Sequence, residues 1–366
     1  MAEIRIPVFT TGQQLAAIRD EVDAAIERVL ASGWFILGRE VAAFEEEFAA
    51  YCGVDYAVGV ANGTDAIELA LRAVGTGPGD EVITVAHTAP FTGLAILATG
   101  ATPVFVDVDE DTMLLDATLI EAALSPKTRA ILPVHLYGRA ADVDAIAAVA
   151  RAAGVPVVVD AAQAHGASVA GDRAAALGDV AAFSFYPTKN LGAYGDGGAL
   201  VTDDPEIAER VRQLRSGGMA AEYCSDLPGR NSRLDELQAA VLRVKLPLLE
   251  TWNERRREIA ARYGAELRTV RIPEGNAGHA RHLYAVRSPR RDDLATHLAE
   301  RGIGSRAHYP WALHQQAAFV EQARVAGGLT QTERCCREVL SLPLFPELTD
   351  DEVAAVMAAT NEFDSG

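Results

Sequence analysis

Positive charge is scarce in this chain. Its 33 lysines and arginines stand against 51 aspartates and glutamates, a formal net charge of -18. That balance excludes a general nucleic-acid or anionic-membrane binder, since either needs a basic face to meet phosphate. A small anionic ligand stays compatible, because one pocket can be positive on an acidic protein. Cysteine is sparse too: Cys52, Cys224, Cys335 and Cys336, with no CxxC spacing. Adjacent Cys335 and Cys336 are badly placed to chelate one zinc ion. No metal site is expected, and the four read as reduced thiols of a cytoplasmic protein. The opening Met1-Ala2-Glu3-Ile4-Arg5 lacks a basic stretch followed by an apolar one, so no signal peptide is expected. The uncharged run 82–106 is long enough to raise a membrane span, but Pro90, Gly93, Gly100 and Pro103 interrupt it. It reads as strand, loop, buried helix and next strand. A Walker loop, a zinc signature and a GxSxG elbow are missing as well. Gly192, Gly195, Gly197 and Gly198 lack the strand-to-helix setting and acidic partner of a dinucleotide fingerprint. They read as a tight loop.

What is present is a chain of 366 residues, 49% hydrophobic, which can bury a sizeable core and suggests two domains. Ile18, Val22, Ile26 and Val29 recur at helical spacing, as do Val41, Phe44, Phe48 and Tyr51. Short apolar runs follow at 56–60, 82–86, 104–106, 130–134, 155–159, 180–185 and 199–202. Helical stretches at 64–74, 117–124 and 143–153 alternate with them. That alternation predicts an α/β fold, a largely parallel sheet covered by helices on both faces. Ligands bind such sheets beyond the carboxyl ends of the strands. A long helix is expected over 234–250, stopped or kinked at Pro247. The pattern then changes to a strand at 282–286 and helices at 292–301 and 350–360. We therefore place a large domain at 1–250 and a smaller α+β domain at 251–366.

Two polar clusters fall beyond strand ends. Asp160-Ala161-Ala162-Gln163-Ala164-His165-Gly166 follows the run 155–159. Ser184-Phe185-Tyr186-Pro187-Thr188-Lys189-Asn190-Leu191-Gly192 ends the run 180–185. An aspartate closing a buried strand, with a lysine in an apolar, glycine-rich loop downstream, is what a pyridoxal phosphate enzyme needs. The carboxylate serves the pyridine nitrogen and the amine serves the aldehyde. Alone, the lysine is most often a solvated surface charge, and an aspartate after a strand is commonly a helix cap or turn residue.

With Gly33-Trp34-Phe35-Ile36-Leu37-Gly38, Asn62-Gly63-Thr64-Asp65-Ala66, Asn231-Ser232-Arg233-Leu234-Asp235 and His308-Tyr309-Pro310, these clusters resemble the DegT/StrS-type family of sugar aminotransferases. The resemblance spans nearly the whole chain. It implies fold type I, the aspartate aminotransferase fold, a mixed, mostly parallel seven-stranded sheet sandwiched by helices plus a smaller C-terminal α+β domain, with pyridoxal 5'-phosphate as cofactor and pyridoxamine 5'-phosphate as its intermediate form. It implies that Lys189 binds the cofactor and moves the substrate proton, that Asp160 pairs with the ring nitrogen, and that Gln163 meets the phenolic oxygen. Gly63, Thr64 and Ser184 would hold the phosphate, with Asn231 reaching it from a second subunit, so that a homodimer shares its sites. Where many relatives stack an aromatic residue on the ring, this chain has Ala89. His87 or Phe91 in that role, or an apolar contact by Ala89, are the options left open. His87, His165, Tyr186, Tyr223, His282, His308, Tyr309 and His314 are candidate substrate contacts. Tyr186-Pro187 ahead of Lys189 resembles the subgroup that aminates C3 of keto-6-deoxysugars. The implied reaction passes the amine of L-glutamate to a dTDP-linked ketosugar, for an antibiotic or a surface glycan. Amination at C4, a keto-inositol acceptor and a non-catalytic regulatory protein of the same fold are the alternatives. A dehydratase of this fold usually has histidine at the lysine position, which Lys189 argues against.

Overall fold

A computed structural model describes residues 3–272 and 278–363. Its strands are β1 Tyr56–Val60, β2 Glu81–Val85, β3 Thr102–Val106, β4 Thr128–Ile131, β5 Val158–Asp160, β6 Val180–Ser184, β7 Gly198–Thr202, β8 Tyr284–Arg287 and β9 Val339–Leu342. The main helices are α1 Arg19–Ser32, α2 Arg39–Cys52, α3 Gly63–Ala73, α4 Pro90–Thr99, α5 Val143–Ala153, α6 Pro205–Arg215, α7 Glu236–Lys245, α8 Leu249–Glu266, α9 Arg291–Glu300, α10 Thr330–Glu338 and α11 Asp350–Asn361.

The strands β1-β7-β6-β5 form one ladder. β4-β2-β3 form a second, which carries the two-residue strand Arg324–Val325 at its edge. Parallel bridges Ile131↔Val157 and Val134↔Asp160 join the two. Only β7 runs against its neighbours; the remaining pairs are parallel. The apolar runs are continuous because both faces are covered. Val58, Val82, Val158, Val180 and Ala182 pack under α3, α4 and α6. Ile83, Val104, Val157, Val159, Ala181 and Phe183 pack under α2 and α5. The wound sheet thus brings the carboxyl ends of β5 and β6 side by side, in parallel.

Residues after α7 build a separate core. Ile259, Tyr263, Tyr284, Val286, Leu340, Leu342, Val353 and Val356 meet there, with Ile6 from the N-terminal arm. β8 pairs with β9 antiparallel. Pro247 bends the chain as expected, through a single 3-10 turn at Leu246–Leu248, but helix resumes at Leu249 and runs to Glu266. The expected stop near residue 250 is thus corrected. A proline in a first turn loses a donor that has no partner there anyway.

Two helices take their caps from distant carboxylates. α2 begins at Gly38, which has no capping side chain. Glu236 supplies one from 198 residues away: Oε1 accepts from the amides of Gly38 and Val41, both at 2.8 Å, and Oε2 from Glu40 at 2.9 Å. Asp107 does the same for α10, accepting from Gln331 at 2.9 Å and Thr332 at 2.7 Å. Glu236→Ala strands three amides at once. It should destabilise the fold by about 2–4 kcal/mol, read as a lower urea midpoint at unchanged slope. An unchanged midpoint would show that water caps α2 as well as Glu236 does.

Candidate active site

Asp160 is the last residue of β5 and is buried. Thr92 on α4 donates its hydroxyl to Oδ2 at 2.7 Å, and the Ala162 amide donates to Oδ1 at 3.1 Å. Burial still raises the Asp160 pKa above the usual carboxylate range, against those two donors and the nearby Lys189 charge. A buried carboxylate left short of compensation favours a cation placed against it.

Lys189 lies five residues past the end of β6, in a turn closed by its own amide on the Tyr186 carbonyl at 2.8 Å. Among the described residues its ammonium has no hydrogen-bond or ion-pair partner. Desolvation lowers its pKa to about 8, opposed by attraction to Asp160. It is one of three lysines in the chain, with Lys127 and Lys245. Lys127 is on the surface, while Lys245 is 1% exposed and donates to the Gly192 carbonyl at 2.5 Å.

The loop between β1 and α3 closes the other side. Asn62 caps α3 by accepting from the Asp65 amide at 2.8 Å. That leaves the amides of Gly63 and Thr64, which a helix start cannot pair internally. A Cβ on Gly63 would stand 2.5 Å from Ser184 Cβ, so only glycine lets the helix start approach the Ser184 hydroxyl so closely. Two free amides, a hydroxyl, an under-compensated carboxylate and an unpaired amine suit an aromatic cation bearing a phosphate and an aldehyde. Pyridoxal phosphate has those parts.

Around this floor the candidate residues divide. Gln163 is buried; its Oε1 accepts from the Tyr137 amide at 2.6 Å and its Nε2 donates to Tyr309 Oη at 2.9 Å. His308 and Tyr309 are half-buried, and His308 Nδ1 lies 2.9 Å from Ser341 Oγ. His87, His165 and His282, expected as substrate contacts, are buried in the single chain. His87 is held between Cys336 and Tyr137, and the ring of His282 faces Asn190 at 3.1 Å. His165 is buried and packs on Phe183 and Phe185. Phe91 is exposed, and half-buried Ala89 is the residue from which α4 starts. His314 turns toward Glu333 at 3.2 Å. Tyr186, Tyr223 and Asn231 lie on the surface of this chain, Tyr223 91% exposed on the hairpin Met219–Ala221/Cys224–Ser225.

Sequence reasoning missed Thr92, Tyr137, Asn190 and Asn253. The Asn190 amide, next to Lys189, donates to Asn253 Oδ1 and the Ala280 carbonyl, both at 2.8 Å. That ties the lysine loop to α8. Among the described residues no group of three or more His, Cys, Asp or Glu side chains is placed to hold a metal ion.

Fold and floor together define a pyridoxal phosphate-dependent aminotransferase of fold type I. The chain belongs to the DegT/DnrJ/EryC1/StrS aminotransferase family, which matches residues 16–361. It is 50% identical over 364 residues to the dTDP-3-amino-3,4,6-trideoxy-alpha-D-glucose transaminase of Streptomyces venezuelae, covering 98% of this chain and 96% of that one. Among solved structures it is similar to S. venezuelae DesV in complex with a ketimine intermediate. There the TM-score is 0.95 and identity 49%, over 98% of each chain. NtdA of Bacillus subtilis, solved with bound cofactor PMP, matches with a TM-score of 0.90 at 32% identity, over 98% of this chain and 85% of that one.

Proposed function

We propose that this enzyme moves the amine of L-glutamate to C3 of a dTDP-linked 3-keto-6-deoxyhexose. It would release 2-oxoglutarate and an aminosugar for an antibiotic or a surface glycan. The observation that carries this reading is the unpaired Lys189 amine beside buried Asp160, in a chain half identical to a transaminase named for a 3-amino sugar.

When bound, pyridoxal 5'-phosphate supplies the carbonyl that takes up the amine and the ring that stores an electron pair. The protein's own part is positioning and proton movement. The Gly63 and Thr64 amides and the Ser184 hydroxyl hold the phosphate. Asp160 keeps a proton on the ring nitrogen. Lys189 Nζ, with its pKa brought to about 8, is partly neutral near pH 7 and carries the proton to and from the substrate carbon. Tyr309, His308, His314 and Tyr186 offer flat faces and hydrogen-bonding atoms to sugar and base.

The active unit in this reading is a homodimer. Trp34, Phe35 and Ile36 are 63%, 47% and 37% exposed on a single chain, and Phe91 and Trp311 are exposed too. Three large apolar side chains exposed in succession at 34–36 support a contact surface there. A second copy covering them would bring Asn231 and Tyr223, both on the surface, to the neighbouring site. The site is cytoplasmic in this reading, with the domain boundary near residue 250, at the first turn of α8.

The test supplies L-glutamate with either a dTDP-3-keto- or a dTDP-4-keto-6-deoxyhexose, follows 2-oxoglutarate and identifies the aminosugar by mass spectrometry and NMR. Amination of the 3-keto sugar is expected. Amination of the 4-keto sugar alone would overturn the C3 assignment, and absence of 2-oxoglutarate would overturn the donor.

A further inference from the structure

Beneath Gln163 lies a chain of hydrogen bonds whose directions can be settled. Tyr137 Oη has one hydrogen, donated to the His308 carbonyl. His87 Nε2, 2.9 Å from the same oxygen, must therefore be the donor. That leaves His87 Nδ1 unprotonated, to accept from the Cys336 thiol at 3.2 Å. All three partners, Cys336, His87 and Tyr137, are buried. Tyr137 is the hub. Its amide fixes Gln163 Oε1, and its carbonyl accepts from the His282 amide at 2.9 Å. It holds this place with φ at 60°, and Gly138 follows at 94°. With Oε1 committed to Tyr137 and one Nε2 hydrogen given to Tyr309, Gln163 has a single N–H left to offer.

We infer that His87, oriented by Cys336, is a positioning residue. Acting through Tyr137, it locks the Gln163 amide and the His308-Tyr309 segment in one arrangement, so that Gln163 presents its remaining N–H to the cofactor's phenolic oxygen. This rests on the reading above that Gln163 meets that oxygen. Burial suits His87 to the task. It lowers the ring's pKa to about 4, so the imidazole stays neutral through the working range and does not scramble the directions of its bonds.

The test compares wild type with His87→Leu, His87→Gln, Cys336→Ala, Cys336→Ser and Gln163→Ala. For each, the dissociation constant of pyridoxal phosphate, its absorption maximum on the protein, and kcat and KM for glutamate are measured. The His87 tautomer is read by 15N-histidine NMR on cofactor-stripped wild type and the Cys336 variants. His87→Leu is expected to weaken cofactor binding about tenfold, the effect of one buried hydrogen bond and its orphaned partner. It should also shift the absorption maximum in the same direction as Gln163→Ala and lower kcat more than it raises KM. His87→Gln, whose amide can donate to Tyr137 and accept from Cys336, should recover most of the affinity. Wild type, Cys336→Ser and Cys336→Ala should all carry the proton on Nε2, because Tyr137 fixes it there. In Cys336→Ala, however, Nδ1 loses its donor and the ring should be less firmly held, weakening cofactor binding in the same direction as His87→Leu. Wild-type affinity and spectrum in His87→Leu, or a proton on Nδ1 in wild type, would overturn the proposal. If His87→Leu does not fold, the Cys336 pair decides it by the same readouts. If Gln163→Ala itself changes neither affinity nor spectrum, the underlying reading of Gln163 fails; a change there with none in His87→Leu sinks the positioning role alone.

Discussion

Lys189→Ala is expected to leave a folded protein whose transamination falls by at least about four powers of ten. A general base is worth about 10²–10⁴ in rate, and here the same amine also attaches the cofactor. No other lysine can take over. Lys127 is on the surface, and Lys245 is sealed behind Gly192 and lies over the Tyr194 ring at 4.5 Å. The loss should reside in kcat and not in folding, because the Lys189 ammonium has no hydrogen-bond or ion-pair partner among the described residues and its desolvation is a cost that removal relieves. In wild type, the rate at which stripped protein takes up pyridoxal phosphate should follow the neutral fraction of Lys189. A lowered pKa places the neutral form at lower pH. The rate should therefore rise about tenfold per pH unit below pH 8 and level off above it. An inflection at the ordinary lysine value of 10.5 would mean that burial does not activate this amine. Uptake by Lys189→Ala at the wild-type rate and pH dependence would mean that another group is the nucleophile.

Much of this arrangement can be read directly along the chain, for reasons that are local. The helix 143–153 was bounded to the residue because Asp142 caps it, accepting from Ala145, and Gly154 ends it at φ 68°. The strands were legible because burial on both faces makes them uninterrupted apolar runs. Asp160 and Lys189 stood out because they break apolar stretches just where such runs end. What sequence hid is what depends on partners far along the chain. α10, Thr330–Glu338, is mostly polar and has Leu329 at its cap position; it is helical because Asp107 reaches it from 225 residues away. Histidine type does not report which way a ring faces. His87 and His308 read alike in the sequence, yet one is sealed under Tyr137 and the other keeps part of its surface open. Thr92 sits in an apolar helix where a threonine carries no special signal, and only the packing of α4 against β5 shows that its hydroxyl serves Asp160.

Asp160→Asn separates the cost of that residue from its use. A carboxylate that pairs with a buried cation and is lost from one side of the pair is worth about 3–5 kcal/mol, so turnover should fall by about two to four powers of ten. Stability of the cofactor-free protein should move the other way. The folded-state pKa of Asp160 is raised by burial above its ordinary 3.8. The contribution of Asp160 to wild-type stability is therefore fully present below pH 3.8 and is lost as pH rises through the folded value. An amide escapes that penalty and fits the same contacts. The asparagine oxygen can accept from the Ala162 amide and its NH2 can donate to Thr92, because the Thr88–Thr92 hydroxyl pair at 3.0 Å can reverse direction. Stripped Asp160→Asn should thus melt above stripped wild type at pH 7, with the difference closing toward acid pH. Added pyridoxal phosphate should raise the wild-type melting temperature more than that of the variant, since only the carboxylate gains a cation. A variant that melts lower than wild type when stripped, and gains as much from the cofactor, would show Asp160 to be a structural strand-end residue with no claim on the ring nitrogen.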